Sequence, residues 1–280
     1  MASTPVLPIG ASGRSAIDIA RDAAQEAGAL ALSRFRRPHE ITVKGRGDLL
    51  TGTDLAVEKL IHRTLQAEFP KHGLLSEETA STTPTDGWVW VIDPIDGTRN
   101  FVSGIPFFCV NIALCHDGDP VVAVTHDPNH EETFWATRGG GAWVNDSPLR
   151  ASVAPTVAAS VLGVDLGYDD GRGRALIKLL LELFPGVQSV RIPGSAALGL
   201  AYAAAGRYDL FVHHYLFPWD IAAGILLVRE AGGKITDHTG RPVGIRRWTV
   251  LCGSERAHAD FLAWQEEHSA QLDLPEPSNE

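Results

Sequence analysis

Residues 88–101 read WVWVIDPIDGTRNF and combine an apolar run with two carboxylates three positions apart. The run 88–92 predicts a buried strand, and Asp93 and Asp96 follow in a tight turn where it ends. Two neighbouring carboxylates are costly to hold together unless a positive charge lies between them. Because the donors are all oxygens, the expected charge is a hard divalent cation. The stretch therefore predicts metal-assisted phosphate chemistry, whereas the alternative is that Asp-Pro and Asp-Gly are ordinary turn pairs.

Composition limits the classes of protein that this chain can belong to. Its 280 residues are 44% hydrophobic, which is enough for one large domain or two tightly packed halves. No run of eighteen apolar residues occurs, so no transmembrane helix is expected. Residues 1–13 lack the basic-then-apolar pattern of a secretory signal. The net charge of −10 argues against a nucleic-acid partner, and it means that bound cations would have to offset the repulsion of an anionic substrate.

The three cysteines, Cys109, Cys115 and Cys252, are too few for a disulfide framework and fit no zinc-binding spacing. We expect each to be a buried thiol in a reducing compartment, which predicts a cytoplasmic protein.

Hydrophobic periodicity predicts an α/β (α+β) chain without internal repeats. Residues 12–268 are expected to form a single domain, with halves 12–150 and 151–268 and loose tails at 1–11 and 269–280. Helices are predicted over 17–35, from Thr53 or Asp54 to 69, and over 174–183, 195–205, 219–231 and 257–266. Strands are predicted over 41–43, 88–93, 107–114, 120–125, 132–136, 187–192, 208–212, 234–236 and 249–252.

Further acidic residues lie where predicted elements begin or end. Asp54 and Asp220 lie at helix starts, and Glu77-Glu78 follow the apolar pair 74–75. Taken singly, the two aspartates could be helix-terminus acids that complement the helix dipole. The glutamates could be a solvated loop pair. None of these alternatives explains all the acids together with the motif at 93–98.

Four stretches in order resemble the inositol monophosphatase family, whose members are magnesium-dependent, lithium-sensitive phosphomonoesterases. They are Lys44 with Asp54, GLLSEE at 73–78, DPIDGTRNF at 93–101 and WDIAAG at 219–224. The resemblance runs from about residue 17 to about residue 261. It implies a layered αβαβα sandwich of the sugar-phosphatase type, usually a homodimer.

The resemblance also implies two or three Mg²⁺ ions and a set of residues to hold them. The implied ligands are Glu77, Asp93, Asp96, Asp220 and the carbonyl of Ile95. This oxygen set suits Mg²⁺, which prefers about six oxygen ligands and retains several waters.

The implied mechanism is an in-line displacement at phosphorus by metal-activated water. The pair Asp54 and Thr98 would orient the water and take its proton, and Glu77 would help to polarise it. A second metal would stabilise the departing alkoxide. Backbone N–H groups of Gly97 and Thr98 would hold phosphate oxygens. Lys44 is a possible loop contact, although the loop 44–54 is one residue shorter than the usual family pattern.

Substrate contacts are expected from Gly194, Ser195, Ala196, His213 and Asp220. The first three resemble the family's sugar-ring segment, and Ser195 is equally suited to cap a helix. His213 stands where inositol phosphatases carry a glutamate. A neutral imidazole offers one donor and one acceptor instead of two acceptor oxygens, and His213 could also be a strand-end histidine.

The expected reaction is hydrolysis of inositol-1-phosphate or a related small polyol, sugar or amino-alcohol phosphate. The alternatives within the family are a histidinol-phosphate phosphatase and a fructose-1,6-bisphosphatase. A non-catalytic regulatory binding dimer is the alternative from another class. No nucleic acid or membrane partner is expected.

Overall fold

The computed structural model describes residues 6–45, 48–79, 86–246 and 249–268. Its α-helices are α1 Ala16–Arg34, α2 Gly52–Glu68, α3 Thr98–Ser103, α4 Asp170–Leu183, α5 Ala196–Ala204, α6 Pro218–Glu230 and α7 Glu255–Glu267. Its strands are β1 Ile41–Val43, β2 Leu49–Thr51, β3 Gly73–Ser76, β4 Trp88–Asp96, β5 Cys109–His116, β6 Asp119–Asp127, β7 Glu132–Thr137, β8 Ala142–Val144, β9 Ser147–Pro148, β10 Val161–Asp165, β11 Ser189–Arg191, β12 Leu210–His213, β13 Lys234–Thr236 and β14 Val250–Gly253.

A seven-stranded sheet with the order β3-β4-β5-β6-β7-β8-β9 forms the first sheet layer. Strand β3 runs parallel to β4, and the remaining neighbours are antiparallel. Strands β5 and β6 form a hairpin. Its turn residues Asp117 and Gly118 have φ values of 51° and 79°, the left-handed pair that a tight two-residue hairpin turn requires.

Strand β4 is buried on both faces, which explains its continuous apolar sequence. Trp90 and Ile92 pack with α1 and α2, whereas Val89 and Val91 pack with α5 and α6. The seven-stranded sheet is therefore covered by a helix pair on each side.

A five-stranded sheet with the order β11-β10-β12-β14-β13 forms the second sheet layer. Helices α5 and α6 fill the space between the sheets, and Leu200 and Ile225 share one core with Phe211 and Cys252. Helices α4 and α7 cover the outer face of the second sheet. The layers thus follow the order αβαβα, which confirms the predicted class and architecture.

Several predicted boundaries were wrong; helix α4, for example, begins at Asp170 and not at residue 174. Two of these corrections bear on the acidic residues. Helix α2 begins at Gly52 with Thr51 as its N-cap, because the Thr51 side chain accepts from Thr53 N while Asp54 Oδ2 accepts from Thr51 N at 2.8 Å. This reciprocal pair is a capping box, so Asp54 lies at the third helical position instead of the cap. Strand β4 continues to Asp96 and does not end at Asp93.

Strand β10 was missed altogether, as were β2, β3, β8 and β9. Residues 161–165 are paired in parallel with both β11 and β12. The strand is stabilised by backbone hydrogen bonds to partners that are distant in sequence, so the local sequence does not predict it.

The predicted loose tails fall largely outside the described residues, at 1–5 and 269–280. Where the first stretch is described, Ala11 N donates to Glu68 O at 2.9 Å and is tied to the end of α2. Cys109, Cys115 and Cys252 are buried and free, as expected for thiols. Of the helices in the described part of the chain, none has the length and apolarity to cross a membrane.

Candidate active site

An irregularity in β4 brings Asp93 and Asp96 to the same side of the strand. Asp93 pairs with Asn111 and Asp96 with Cys109, so three steps along β4 match two steps along β5. In a regular strand, residues three apart point to opposite faces. The extra residue cancels that alternation, as in a β-bulge, and both carboxylates reach one cavity.

Asp93, Asp96 and Asp220 form a compact carboxylate cluster. One oxygen from each lies within 4.8 Å of the others. Asp93 and Asp96 are 2% and 7% exposed, and Asp93 Oδ1 is buried without a hydrogen-bond partner. Burial, reinforced by the charges of Glu77 and Asp96, raises the pKa of Asp93 well above its ordinary value. A divalent cation among the three carboxylates would offset this repulsion.

Asp96 and Asp220 are each fixed by the start of a helix. Asp96 accepts from the Ser195 hydroxyl and, at 2.9 Å, from Ala197 N, which orients α5 against β4. Ser195 also caps α5 by accepting from Leu198 N, as predicted, and it lines the cavity, where the sugar-ring contact stays a prediction. Asp220 Oδ2 accepts from Phe217 N at 2.7 Å at the start of α6. The helix-terminus role and the cluster are compatible for Asp220, because the residue that accepts from Phe217 N also lines the cavity.

Glu77 lies next to the cluster and is paired with Lys44. Lys44 Nζ lies 3.1 Å from Glu77 Oε1 and 2.7 Å from Glu78 Oε1. Burial raises the pKa of Glu77 to about 7, even though the Lys44 charge opposes this shift. The structure thus places Lys44 at the site as a cation that partly neutralises the two glutamates.

Asp54 and Thr98 form a pair behind the cavity wall. Thr98 Oγ1 lies 3.2 Å from Asp54 Oδ1 and 2.9 Å from Ile95 O. Asp54 is fully buried and does not line the cavity, whereas Thr98 does. Burial raises the pKa of Asp54, and hydrogen bonds from Thr51 lower it in part. A ligand would therefore meet the Thr98 hydroxyl, with the Asp54 carboxylate directly behind it.

The cavity has a volume of about 390 Å³ and gathers every predicted site residue except Asp54. The predicted residues on its wall are Lys44, Glu77, Asp93, Ile95, Asp96, Gly97, Thr98, Gly194, Ser195, Ala196, His213 and Asp220.

Gly97 is required where the chain leaves β4. Its φ is +91°, and a Cβ there would lie 3.1 Å from Phe107 O and 3.2 Å from Gly194 O. A side chain at this position would be strained and would crowd the segment that precedes Ser195. The close approach brings the motif after β4 against the predicted sugar-ring segment.

Asn100 connects the same two segments. Its Nδ2 lies 2.8 Å from Phe107 O, 2.8 Å from Pro193 O and 3.1 Å from Gly194 O. One buried amide group therefore holds the loop before β5 and the loop before α5 together.

His213 is a neutral ring on the cavity wall. It is 3% exposed, and its Nδ1 accepts from Tyr215 N at 2.9 Å. Burial lowers the pKa of His213 to about 3. The residue lies at the end of β12, as one interpretation predicted, and it also lines the cavity, where its contact with a substrate stays a prediction.

Sequence reasoning missed Asp165 and the aromatic part of the wall. Asp165 ends the unpredicted strand β10, and Tyr168, Phe217 and Trp219 line the same cavity. The Phe217 and Trp219 rings are stacked, with centroids 5.0 Å apart. The signal for Asp165 was the run VLGVD at 161–165, an apolar strand that ends in an acid like the run before Asp93.

Comparison with known proteins identifies the chain's relatives. The family model described as the inositol monophosphatase family matches residues 14–270. The chain belongs to the inositol monophosphatase family. This confirms the resemblance drawn from the four motifs and supports a phosphomonoesterase.

Members of the family with different names are similar to this chain. Nus factor SuhB of Escherichia coli strain K12 is 40% identical over 251 residues, which are 88% of this chain and 94% of that protein. An inositol-1-monophosphatase of Rhizobium meliloti is 38% identical over 219 residues, 77% of this chain and 82% of that protein. The solved structure of a Thermotoga maritima IMPase has a TM-score of 0.81 at 30% identity, covering 91% of this chain and 98% of that one. These relatives share the fold but not a single named role.

Proposed function

We propose that the protein is a Mg²⁺-dependent phosphatase that hydrolyses a small polyol or sugar phosphate monoester to the alcohol and inorganic phosphate. The carboxylate cluster of Asp93, Asp96 and Asp220, with its unpartnered Oδ1 of Asp93, carries this proposal. A buried acidic cluster at the wall of a cavity suits a cation that in turn attracts a phosphate group.

The donor set fits magnesium. Asp93, Asp96, Asp220, Glu77 and the carbonyl of Ile95 would hold the ions, and all their donor atoms are oxygens. When bound, Mg²⁺ lowers the pKa of water and neutralises negative charge on the phosphate and the departing oxygen. Family membership supports this dependence, and two or three ions are part of the proposal.

Thr98 and Asp54 would move the proton. A hydroxyl has one proton, so when Thr98 donates it to Asp54 its lone pairs are free to accept from a water molecule. As that water oxygen bonds to phosphorus and the phosphorus–ester oxygen bond breaks, one water proton passes to Thr98 and the Thr98 proton passes to Asp54. The other water proton stays on the phosphate. The departing alkoxide takes a proton from solvent to become the alcohol, and Asp54 releases its proton to solvent after the reaction. Burial favours the protonated form of Asp54 and so favours this transfer.

Backbone N–H groups of Gly97 and Thr98 would orient the phosphate. Both residues line the cavity directly after Asp96. Because Gly97 has no side chain, the backbone can approach a ligand closely at this position.

The experiment that tests the proposal is a phosphate-release panel with and without Mg²⁺. The substrates are inositol-1-phosphate, histidinol phosphate, fructose-1,6-bisphosphate and glycerol-2-phosphate, compared between wild type and Asp93→Asn. We expect release only with Mg²⁺, loss of activity in Asp93→Asn, and inhibition by Li⁺. The matched control is Asp146→Asn, which removes an exposed carboxylate away from the cavity. Unchanged activity in Asp93→Asn would show that the metal assignment is wrong.

A binding role is the second candidate function. The Escherichia coli relative is named as a Nus factor and not as an enzyme. If the wild-type protein releases no phosphate from any substrate of the panel, this role is favoured over hydrolysis.

We also propose that the protein forms a homodimer in the cytoplasm. Leu181 near the end of α4 and its C-cap residue Phe184 are 70% and 66% exposed, and such apolar patches mark association surfaces. The three free cysteines suit a reducing compartment. Light scattering on wild type and Leu181→Glu tests the assembly, and a monomeric mass for the wild type would contradict it.

A further inference from the structure

Strands β10 and β12 place Asp165 and His213 side by side. The two strands are parallel, and their register pairs Asp165 directly with His213. Neighbouring strands lie about 4.8 Å apart, and residues paired across them project from the same face. Both residues line the cavity. Asp165 belongs to none of the family motifs quoted above, so its place beside His213 is a finding of the structure.

His213 presents a hydrogen-bond donor to a ligand. Since Nδ1 accepts from Tyr215 N, the proton of the neutral ring lies on Nε2. The low pKa that burial gives this histidine keeps the ring neutral. Because Nδ1 already accepts from Tyr215 N, the His213 ring has no free nitrogen that could accept a hydrogen bond from a substrate hydroxyl.

Asp165 presents the missing acceptor. The compact carboxylate cluster found among the described residues consists of Asp93, Asp96 and Asp220, so Asp165 lies outside it. Burial, together with the Asp96 charge, raises the pKa of Asp165 to about 6, and nearby backbone N–H groups lower it in part. At neutral pH most of this carboxyl is therefore ionised and accepts hydrogen bonds.

We propose that Asp165 determines specificity for the alcohol half of the substrate, because it supplies the hydrogen-bond acceptor that His213 lacks. Asp165 accepts a hydrogen bond from one hydroxyl, and His213 Nε2–H donates to the same hydroxyl or to its neighbour. The inference rests on the proposed phosphatase function and adds Asp165 as a residue that selects the alcohol.

The pair distinguishes a hydroxyl group from an ammonium group. An ammonium could bond to Asp165, but it has no lone pair for His213 Nε2–H, which would be left unpaired beside a cation. A hydroxyl both donates and accepts, so it satisfies both side chains. Because buried polar groups that lose their partners penalise the wrong ligand, the geometry favours polyol phosphates over amino-alcohol phosphates.

The first test removes the charge of Asp165 and keeps its shape. Steady-state kinetics with Mg²⁺ would compare inositol-1-phosphate, 4-nitrophenyl phosphate and phosphoethanolamine in wild type, Asp165→Asn and the exposed control Asp146→Asn. We expect kcat/KM for inositol-1-phosphate to fall about 30-fold in Asp165→Asn, mainly through KM. Because 4-nitrophenyl phosphate has no hydroxyl groups on its ring, its kcat/KM should change less than about threefold.

The second test uses two substitutions of His213. His213→Leu removes the donor, and we expect about a tenfold loss on inositol-1-phosphate only. His213→Gln keeps an N–H donor and should recover most of that loss. Thermal melting curves would verify that each variant folds.

Three outcomes would overturn the inference. An equal loss on 4-nitrophenyl phosphate would place Asp165 in the metal chemistry, and a selective loss on phosphoethanolamine would make it an ammonium site. Unchanged kinetics in Asp165→Asn would show that Asp165 takes no part in substrate recognition.

Calorimetric binding of inositol-1-phosphate separates this inference from the proposed function. If the wild type releases no phosphate from any substrate, the proposed function fails. Weaker binding to Asp165→Asn than to wild type would then still support the recognition role, whereas equal binding would overturn it as well.

Discussion

The two sheets contribute different chemistry to one cavity. Strand β4 of the seven-stranded sheet supplies Asp93 and Asp96, which with Asp220 form a compact carboxylate cluster suited to a cation. The five-stranded sheet ends β10 and β12 with one carboxylate and one neutral ring, Asp165 and His213. The first set suits charge stabilisation at a phosphate, and the second suits hydrogen bonding to an uncharged group. We infer that reaction and selection are divided between the sheets.

The largest expected effect comes from Asp220→Asn. The amide still accepts from Phe217 N, so the cap of α6 is kept while the ligand charge is lost. We expect kcat/KM to fall about a thousandfold, or about 4 kcal/mol of transition-state stabilisation, on every substrate. Without Mg²⁺ the melting temperature should rise, because burial and Asp96 already disfavour the charged form of Asp220. A loss confined to polyol phosphates would contradict the assignment of reaction to the seven-stranded sheet and of substrate selection to the five-stranded sheet.

A smaller effect is expected from removing the Thr98 hydroxyl. Thr98→Val keeps the shape but cannot relay a proton to Asp54, so kcat should fall about a hundredfold on all substrates. Thr98→Ser keeps the hydroxyl and should stay within about tenfold of the wild type. Single-turnover phosphate release measures this step, and equal rates for the two variants would exclude the relay.

Asn100→Ala tests the connection between the two sides of the cavity. It leaves the carbonyls of Phe107, Pro193 and Gly194 without their shared donor, which should cost about 2 kcal/mol in the free energy of unfolding. KM should rise more for inositol-1-phosphate than for 4-nitrophenyl phosphate. Urea unfolding gives the stability, and Asn129→Ala is the control because Asn129 Nδ2 has no partner to lose. Equal stability losses in the two variants would contradict the role of Asn100.

The smallest effect is the pH dependence of stabilisation by Mg²⁺. Burial raises the pKa of Glu77 from 4.5 to about 7, so between these values the folded metal-free protein binds more protons than the unfolded chain. Its stability therefore falls as pH rises through this window. Since Mg²⁺ replaces those protons, it should raise the melting temperature a few degrees more at about pH 7.5 than at about pH 5. Differential scanning fluorimetry measures this difference, which Asp220→Asn should abolish.

Prediction from sequence succeeded where local pattern determines structure. The continuous apolar run before Asp93 predicted β4, and the acids that follow it predicted the cluster. The irregularity between Asp93 and Asp96 depends on the register of β5, so local sequence cannot reveal it. Thr51 and Thr53 are equally good capping residues, and only the reciprocal bond with Asp54 decides between them.

The side of the cavity that recognises the alcohol was harder to predict. Strand β10 is five residues long and contains Gly163, which weakens the strand signal. The glycine is needed because a Cβ there would lie 2.6 Å from the ring of Tyr208. The pairing of Asp165 with His213 joins strands 48 positions apart at these residues, and such contacts are not visible in a single sequence.

The amide of Asn100 has a consequence for the size of molecule that fits. By tying the loop after β4 to the loop before α5, it fixes the segment that leads to Ser195 at a set distance from the carboxylate cluster. A phosphate bound at one place and a hydroxyl bound at another must then be separated by a particular length. The cavity therefore selects esters by the distance between their phosphate and hydroxyl groups. A phosphate ester whose hydroxyl groups lie one carbon nearer or farther would bind more weakly.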